Sequence, residues 1–208
     1  MEKRSRSILI LIITLIVALL LSVCVSFLLR GKAEANEDKK RDAAFREVFP
    51  DAVSFGDAVY NDSYLKRYLE DSGFSESRVF VENVSLARDE HQNAKGIVVT
   101  LNAFKKYGGM ISMLVGVRND GTVNGYSILS ISEAKDLDTL VKEPLFSSQF
   151  SGKKADTFLL VREDASEPGE IVEASGAEDA SQAVVLGVNT AVRTVSFIDE
   201  VYGGLLNE

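Results

Sequence analysis

The sequence predicts an α+β domain behind a single N-terminal membrane helix. Three observations carry that expectation. A long uncharged run opens the chain. Several strand-like segments, joined by short turns, fill its middle. A long amphipathic helical pattern comes near its end, and shorter helical patterns flank the strands. Successive hairpin-linked strands imply a mostly antiparallel sheet.

The opening run extends from Ile8 to Leu29, 22 residues without a charge. As a helix at about 1.5 Å per residue it spans roughly 33 Å, enough for a bilayer core. Lys3, Arg4 and Arg6 precede it, whereas acids follow at Glu34, Glu37 and Asp38. This asymmetry predicts a cytoplasmic N-terminus and a domain on the outer face. Ala33-Glu34-Ala35 fits a signal-peptide cleavage site, but the apolar run is too long for a signal peptide. Cys24, the only cysteine, is preceded by valine and followed by more apolar sequence, which argues against lipoprotein processing. The expected organisation is an anchor over 1–30, a charged linker over 31–41 and one domain over 42–208.

Composition narrows the function. Beyond residue 30 the chain has 19 basic and 30 acidic residues, a net charge of −11. Such a domain is a poor partner for nucleic acid. With His91 the only histidine and no cysteine in the domain, a zinc site or a serine–histidine triad is not expected.

In chain order, Asp42 to Phe49 reads as a short helix stopped by Pro50, and Tyr60 to Leu69 as a second, closed near Ser72-Gly73. Arg78 to Ala87 is rich in valine and phenylalanine. Gly96 to Phe104 places Ile97, Val99, Leu101 and Ala103 on one face. Met110 to Arg118 does the same with Ile111, Met113, Val115 and Val117. Asn119-Asp120-Gly121 signals a hairpin turn into Thr122 to Ile131. Leu140 to Phe150 reads as helix and Thr157 to Val161 as a short strand. A final helix from Val184 to Tyr202 is expected to bury one face, including Val188 and Val192. Ser175 and Glu178 have the S-x-x-E spacing of a capping box at its start.

Ser175-Gly176-Ala177 before this helix resembles the flavin site of the FMN-binding domain. That domain is shared by the G subunit of Rnf-type electron-transport complexes and the C subunit of sodium-pumping NADH:quinone oxidoreductases. Further pieces follow in the family's order. Tyr107-Gly108-Gly109-Met110-Ile111 resembles its G-Y-G-G-x-I entry to a strand. Val115-Gly116 through Gly125 resembles its glycine-bearing hairpin, and Phe150-Ser151-Gly152-Lys153 its F-x-G-K. The segment Phe45 to Ala52 resembles the stretch after its anchor. The resemblance implies FMN as cofactor, with Tyr107, Gly108, Gly109, Glu133, Leu137, Ser175, Gly176 and Ala177 around it. It also implies membrane subunits of an electron-transport complex as partners. The family joins FMN to a threonine through a phosphoester, and that threonine's position is Glu178 here. The family loop E-T-P-G-L-G reads Glu133-Ala134-Lys135-Asp136-Leu137-Asp138, so aspartates replace both glycines.

These departures predict that covalent attachment is absent. Glu178 has no hydroxyl to esterify, and Ser175 and Ser181 are only neighbouring hydroxyls. A helix N-terminus attracts an anion by about 0.3–1 kcal/mol. A carboxylate about 5 Å from a phosphate charge costs roughly 3 kcal/mol at an effective dielectric near 20. The alternatives on the same fold are a structural or assembly subunit without flavin and an extracytoplasmic small-ligand sensor. No independent catalytic constellation stands out.

Overall fold

The computed structural model describes residues 39–133, 135 and 137–203. The expected membrane helix over residues 8–29 and its lipid contact lie outside the described residues. Among those described, no helix is long and apolar enough to cross a membrane. The chain divides into two units, residues 1–42 and 43–208, and the second is the domain.

The centre of the domain is a five-stranded antiparallel meander. Its strands are β1 (Ser54–Asp57), β2 (Val79–Arg88), β3 (Ala94–Phe104), β4 (Met110–Arg118) and β5 (Val123–Ile131), in the spatial order of the sequence. Period-2 alternation sorts the side chains into two layers. Ile97, Val99, Leu101 and Ala103 of β3 and Ile111, Met113, Val115 and Val117 of β4 face one core. Val98 and Leu114 face a second, smaller one with Ala87. The turn at Asn119-Asp120-Gly121 forms as expected. Arg118 and Thr122 are joined across it, and the Asp120 carboxylate accepts from Thr122 N–H at 2.9 Å.

A helix over residues 39–48 (α1) ends before Pro50. Its Ala44, Phe45 and Val48, with Phe49 behind them, fill the smaller core. Close approach is possible because β3 and β4 present glycines there. A methyl on Gly116 would lie 2.7 Å from the Val48 carbonyl oxygen, and one on Gly96 2.7 Å from the Phe49 ring. The second expected helix is α2 (Asp62–Asp71), starting two residues later than Tyr60 because Asn61 caps it by accepting from Tyr64 N–H.

The large core lies under α4 (Glu178–Tyr202). This helix starts six residues earlier than the apolar pattern indicates. It is also more deeply embedded than a one-faced helix. Val184, Val185, Val188, Ala191, Val192 and Val195 are buried, and so are Asn189, Thr190 and Thr194. The short parallel ribbon β6 (Leu159–Val161) and β7 (Glu170–Val172) adds cover. Asn189 ties the preceding segment to the helix, its amide donating to Phe158 C=O and accepting from Phe158 N–H. Gly187 lets α4 sit close on the sheet, since a methyl there would lie 2.8 Å from Met113 Sδ.

Two expected elements differ. Leu140 to Phe150 is not one helix but a 3-10 turn (Asp138–Lys142) followed by the short α3 (Pro144–Ser147). Pro144 lacks an amide hydrogen and holds Glu143 extended, so the helix breaks between them. The strand expected over 157–161 is only Leu159–Val161.

Candidate functional site

The site assembles at the end of the sheet where the β3–β4 turn, the loop after β5 and the start of α4 meet. The turn comes first in the chain. Gly108 and Gly109 have φ of 103° and 78°, conformations that favour glycine. A methyl on Gly109 would lie 2.4 Å from the Ser132 carbonyl oxygen, so this glycine is also the close contact to the loop after β5. Tyr107 projects outward and is 71% exposed, with the ammonium groups of Lys106 and Lys135 within 5.1 and 5.7 Å of its ring centroid.

Loop 133–138 begins at Glu133, whose φ of 48° is unusual for a residue with a side chain. Its carboxylate lies beside Gly108. The loop is pinned from beneath. Lys105 Nζ donates to Glu133 C=O at 2.9 Å and to the Asp138 carboxylate at 2.7 Å, which also accepts from Lys135 N–H. The Lys105 and Asp138 side chains are 1% and 3% exposed. Burial raises the Asp138 carboxyl pKa, but the Lys105 hydrogen bond and charge, with the Lys135 N–H, hold it below its ordinary value overall. Asp138 therefore does not intrude on the site as a replaced loop glycine would suggest; it is a buried counter-ion. Asp136 lies outside the described residues.

Leu137 is half-exposed and rests on the third segment. A methyl on Gly176, at φ 86°, would lie 2.4 Å from Leu137 Cδ1. Helix α4 begins immediately afterwards, but the expected capping box is not made. The N-cap is Ala177, and its side chain can make no capping bond. The Glu178 carboxylate turns back to accept from Gly176 N–H at 2.9 Å. Backbone donors, its own amide and that of Gly176, keep its carboxyl below the usual range. Asp179 reaches across to the β3–β4 turn and accepts from Lys106 N–H at 2.7 Å and Tyr107 N–H at 3.1 Å. Ser181 is fully buried and its hydroxyl accepts from Ala174 N–H, so it is no exposed alternative to a threonine. Ser175 is exposed.

Beside Ser175 opens an apolar groove of about 760 Å³. Leu140, Leu145 and Phe146 form one wall, Val172 and Ala174 the other. The Gln149 side chain ties the walls together by donating to Val172 C=O and accepting from Val172 N–H. Arg162 stands nearby, 3.7 Å from the Glu173 carboxylate.

All ten residues expected from the sequence thus fall on these three segments. Gly108 and Gly109 meet Glu133, Tyr107 meets Asp179 through its N–H, and Leu137 meets Gly176, while Ser181 stays behind the surface. Lys105, the groove, and the roles of Asp138 as a buried counter-ion and of Asp179 as an acceptor for the β3–β4 turn were not anticipated. A lysine closing a strand as apolar as β3 is the one sequence signal that points to a buried cation. The groove and the glycine-lined turn suit a planar ring. Position 178 does not suit a phosphoester, because it carries a carboxylate already engaged with the backbone.

Residues 106–193 match the FMN-binding domain family. The chain is 40% identical over 92 residues to the G subunit of the proton-translocating ferredoxin:NAD(+) oxidoreductase complex of Clostridium ljungdahlii, covering 44% of this chain and 49% of that protein. The chain thus spans about half the length of that relative. It is 29% identical over 160 residues to the G subunit of the ion-translocating oxidoreductase complex of Methanosarcina acetivorans, covering 76% of each. The crystal structure of Shewanella oneidensis NqrC has a similar fold, with a TM-score of 0.50 at 15% identity over 76% of this chain and 88% of that one. Together with the ordered motifs that meet at the end of the sheet, these matches show that residues 106–193 are similar to the FMN-binding domain family and that the chain resembles G subunits of ion-translocating oxidoreductase complexes in sequence.

Proposed function

We propose that this chain is a membrane-anchored subunit of an Rnf/Nqr-like electron-transport complex, carrying an FMN-binding-type domain without covalent flavin. The observation that carries the reading is the convergence of three segments distant in sequence. Tyr107-Gly108-Gly109, the loop residues Glu133, Lys135 and Leu137, and Ser175 to Glu178 form one surface, held by Lys105 and Asp179. A bound flavin supplies electron transfer, and the protein positions the ring and excludes water from one side of it. The chain itself has no separate catalytic residue in this reading. Glu178 favours a second reading, a structural or assembly subunit that keeps the fold without flavin. A small-ligand sensor on the same fold has no comparable support.

The partners in this reading are the membrane subunits of the complex, and residues 8–29 lie in the bilayer. Affinity purification of the tagged full chain from membranes of its native host, in mild detergent, tests this. Multi-span and iron–sulfur subunits are expected to co-purify in fixed stoichiometry; recovery of the chain alone would overturn the reading.

In this reading the N-terminus is cytoplasmic and the domain lies at the outer face, supported by the charge asymmetry around residues 8–29. Protease added to intact cells, with any outer membrane opened, is expected to remove the domain. Full protection would reverse the topology.

A further inference from the structure

The start of α4 is a place where backbone N–H groups gather and where a helix dipole favours negative charge. In this chain the donors that lead into the helix, and those of the β3–β4 turn beside it, meet the protein's own acceptors. Gly176 N–H is taken by Glu178, Ala177 N–H by Ala174 C=O, Ala174 N–H by Ser181, and the Lys106 and Tyr107 N–H groups by Asp179. The two carboxylates supply the negative charge that a phosphate would otherwise bring.

The groove alongside has the opposite character. Its walls are apolar, and its volume is that of a small-molecule site. The polar group that crosses it, the Gln149 amide, is already paired with Val172 in both directions. Glu143 and Glu173 border it. Glu178 stands at its Ser175 end, and Arg162 offsets part of this charge through Glu173 and Glu178. Three carboxylates against one guanidinium leave the border negative.

We propose that Glu178 and Asp179 are built-in anions that close this end of the site to phosphate, so that the groove takes an uncharged planar ring of the flavin class, riboflavin in preference to FMN. This rests on the flavin-family reading above and reverses the charge preference that a phosphoester-linked cofactor requires. The ring is held by apolar contact with Leu140, Leu145, Phe146 and Val172. The phosphate of FMN would meet the Glu178 and Asp179 carboxylates at the start of α4. Because Glu178 is exposed, solvent screens the repulsion, and the expected discrimination is about tenfold rather than several hundredfold.

The matched pair of ligands isolates the phosphate, since riboflavin and FMN share the ring. The full chain in detergent is titrated with each at low salt, following quenching of flavin fluorescence. Riboflavin is expected to bind about tenfold more tightly than FMN, with the gap narrowing as salt rises. Glu178→Gln should tighten FMN several-fold and leave riboflavin unchanged. Leu145→Asp should weaken both, with circular dichroism unchanged because Leu145 is 88% exposed. FMN binding as tightly as riboflavin, or no quenching of either by folded protein, would overturn the proposal. Neither result bears on co-purification with membrane subunits, so the failure of this proposal is distinct from failure of the assigned function.

Discussion

Val188→Asp is expected to leave the domain without a cooperative unfolding transition. Val188 has no exposed surface and lies in the main core, on the helix that packs against β3 and β4. Its neighbours there are apolar, so the new carboxylate would be buried without a partner or would force the helix from the sheet. Such substitutions cost upward of about 4 kcal/mol. That is most of the roughly 5–15 kcal/mol by which domains are stable. Thermal unfolding followed by circular dichroism checks this, with Gln182→Asp on the exposed side of the same helix as control. The control is expected to change stability by less than about 0.5 kcal/mol. An unchanged melting temperature for Val188→Asp would show that this face is not packed.

The second large effect is at Asp138. Restoring the family's glycine there, Asp138→Gly, does not reopen a flavin loop. It strands the Lys105 ammonium in the interior and releases the Lys135 N–H. Breaking one side of a buried pair costs about 3–5 kcal/mol. Adding Lys105→Met removes the orphaned charge and is expected to recover much of that loss. No recovery in the double variant would mean that the pair is not coupled.

The pH dependence has a definite sign. The folded Asp138 carboxyl titrates below its unfolded value, so its contribution is complete above the unfolded pKa and is lost as pH falls through the folded one. Wild type should therefore lose more stability than Asp138→Asn as the pH drops below about 4. The gap between the two should stay constant from about pH 6 upward.

These residues also show what was legible in the chain. β3 and β4 were readable because each buries alternate side chains in the core under α4, and burial imposes a period of two. α4 was readable for the same reason at period 3.6, but its first turn was not. Glu178 and Asp179 are spent on backbone donors there, so no apolar stripe marks it. β1 and β7, with four and three residues, are too short to show any period. The break at Pro144 was available in the sequence, since proline disfavours helix at the residue before it. The Lys105–Asp138 pair was not. It joins positions 33 apart, and only the three-dimensional path of the loop makes Asp138 a counter-ion instead of a lost glycine. Motif order located the three converging segments, because each lies at a turn or helix start that the fold uses. The apolar groove arises from residues 140–146 and 172–174, which carry no motif.

This chain, similar over residues 106–193 to the FMN-binding domain family, is expected to keep the site's scaffold without a covalent flavin. Ser175, Gly176 and Ala177 are in place, Ser181 is sealed under the surface, and the acceptor position holds a carboxylate bonded to Gly176. Glu178→Thr alone supplies the hydroxyl and is expected to restore labelling weakly or not at all, because the pinned loop and the other borders of the site are unchanged. The most direct measurement is the intact mass of the unmodified chain after co-expression with a flavin-attaching transferase, read alongside in-gel flavin fluorescence under denaturing conditions. The expected result is a mass equal to that of the polypeptide and no fluorescent band. A flavin-sized mass increase, mapped by peptide analysis to Ser175 or any other hydroxyl of the domain, would contradict it.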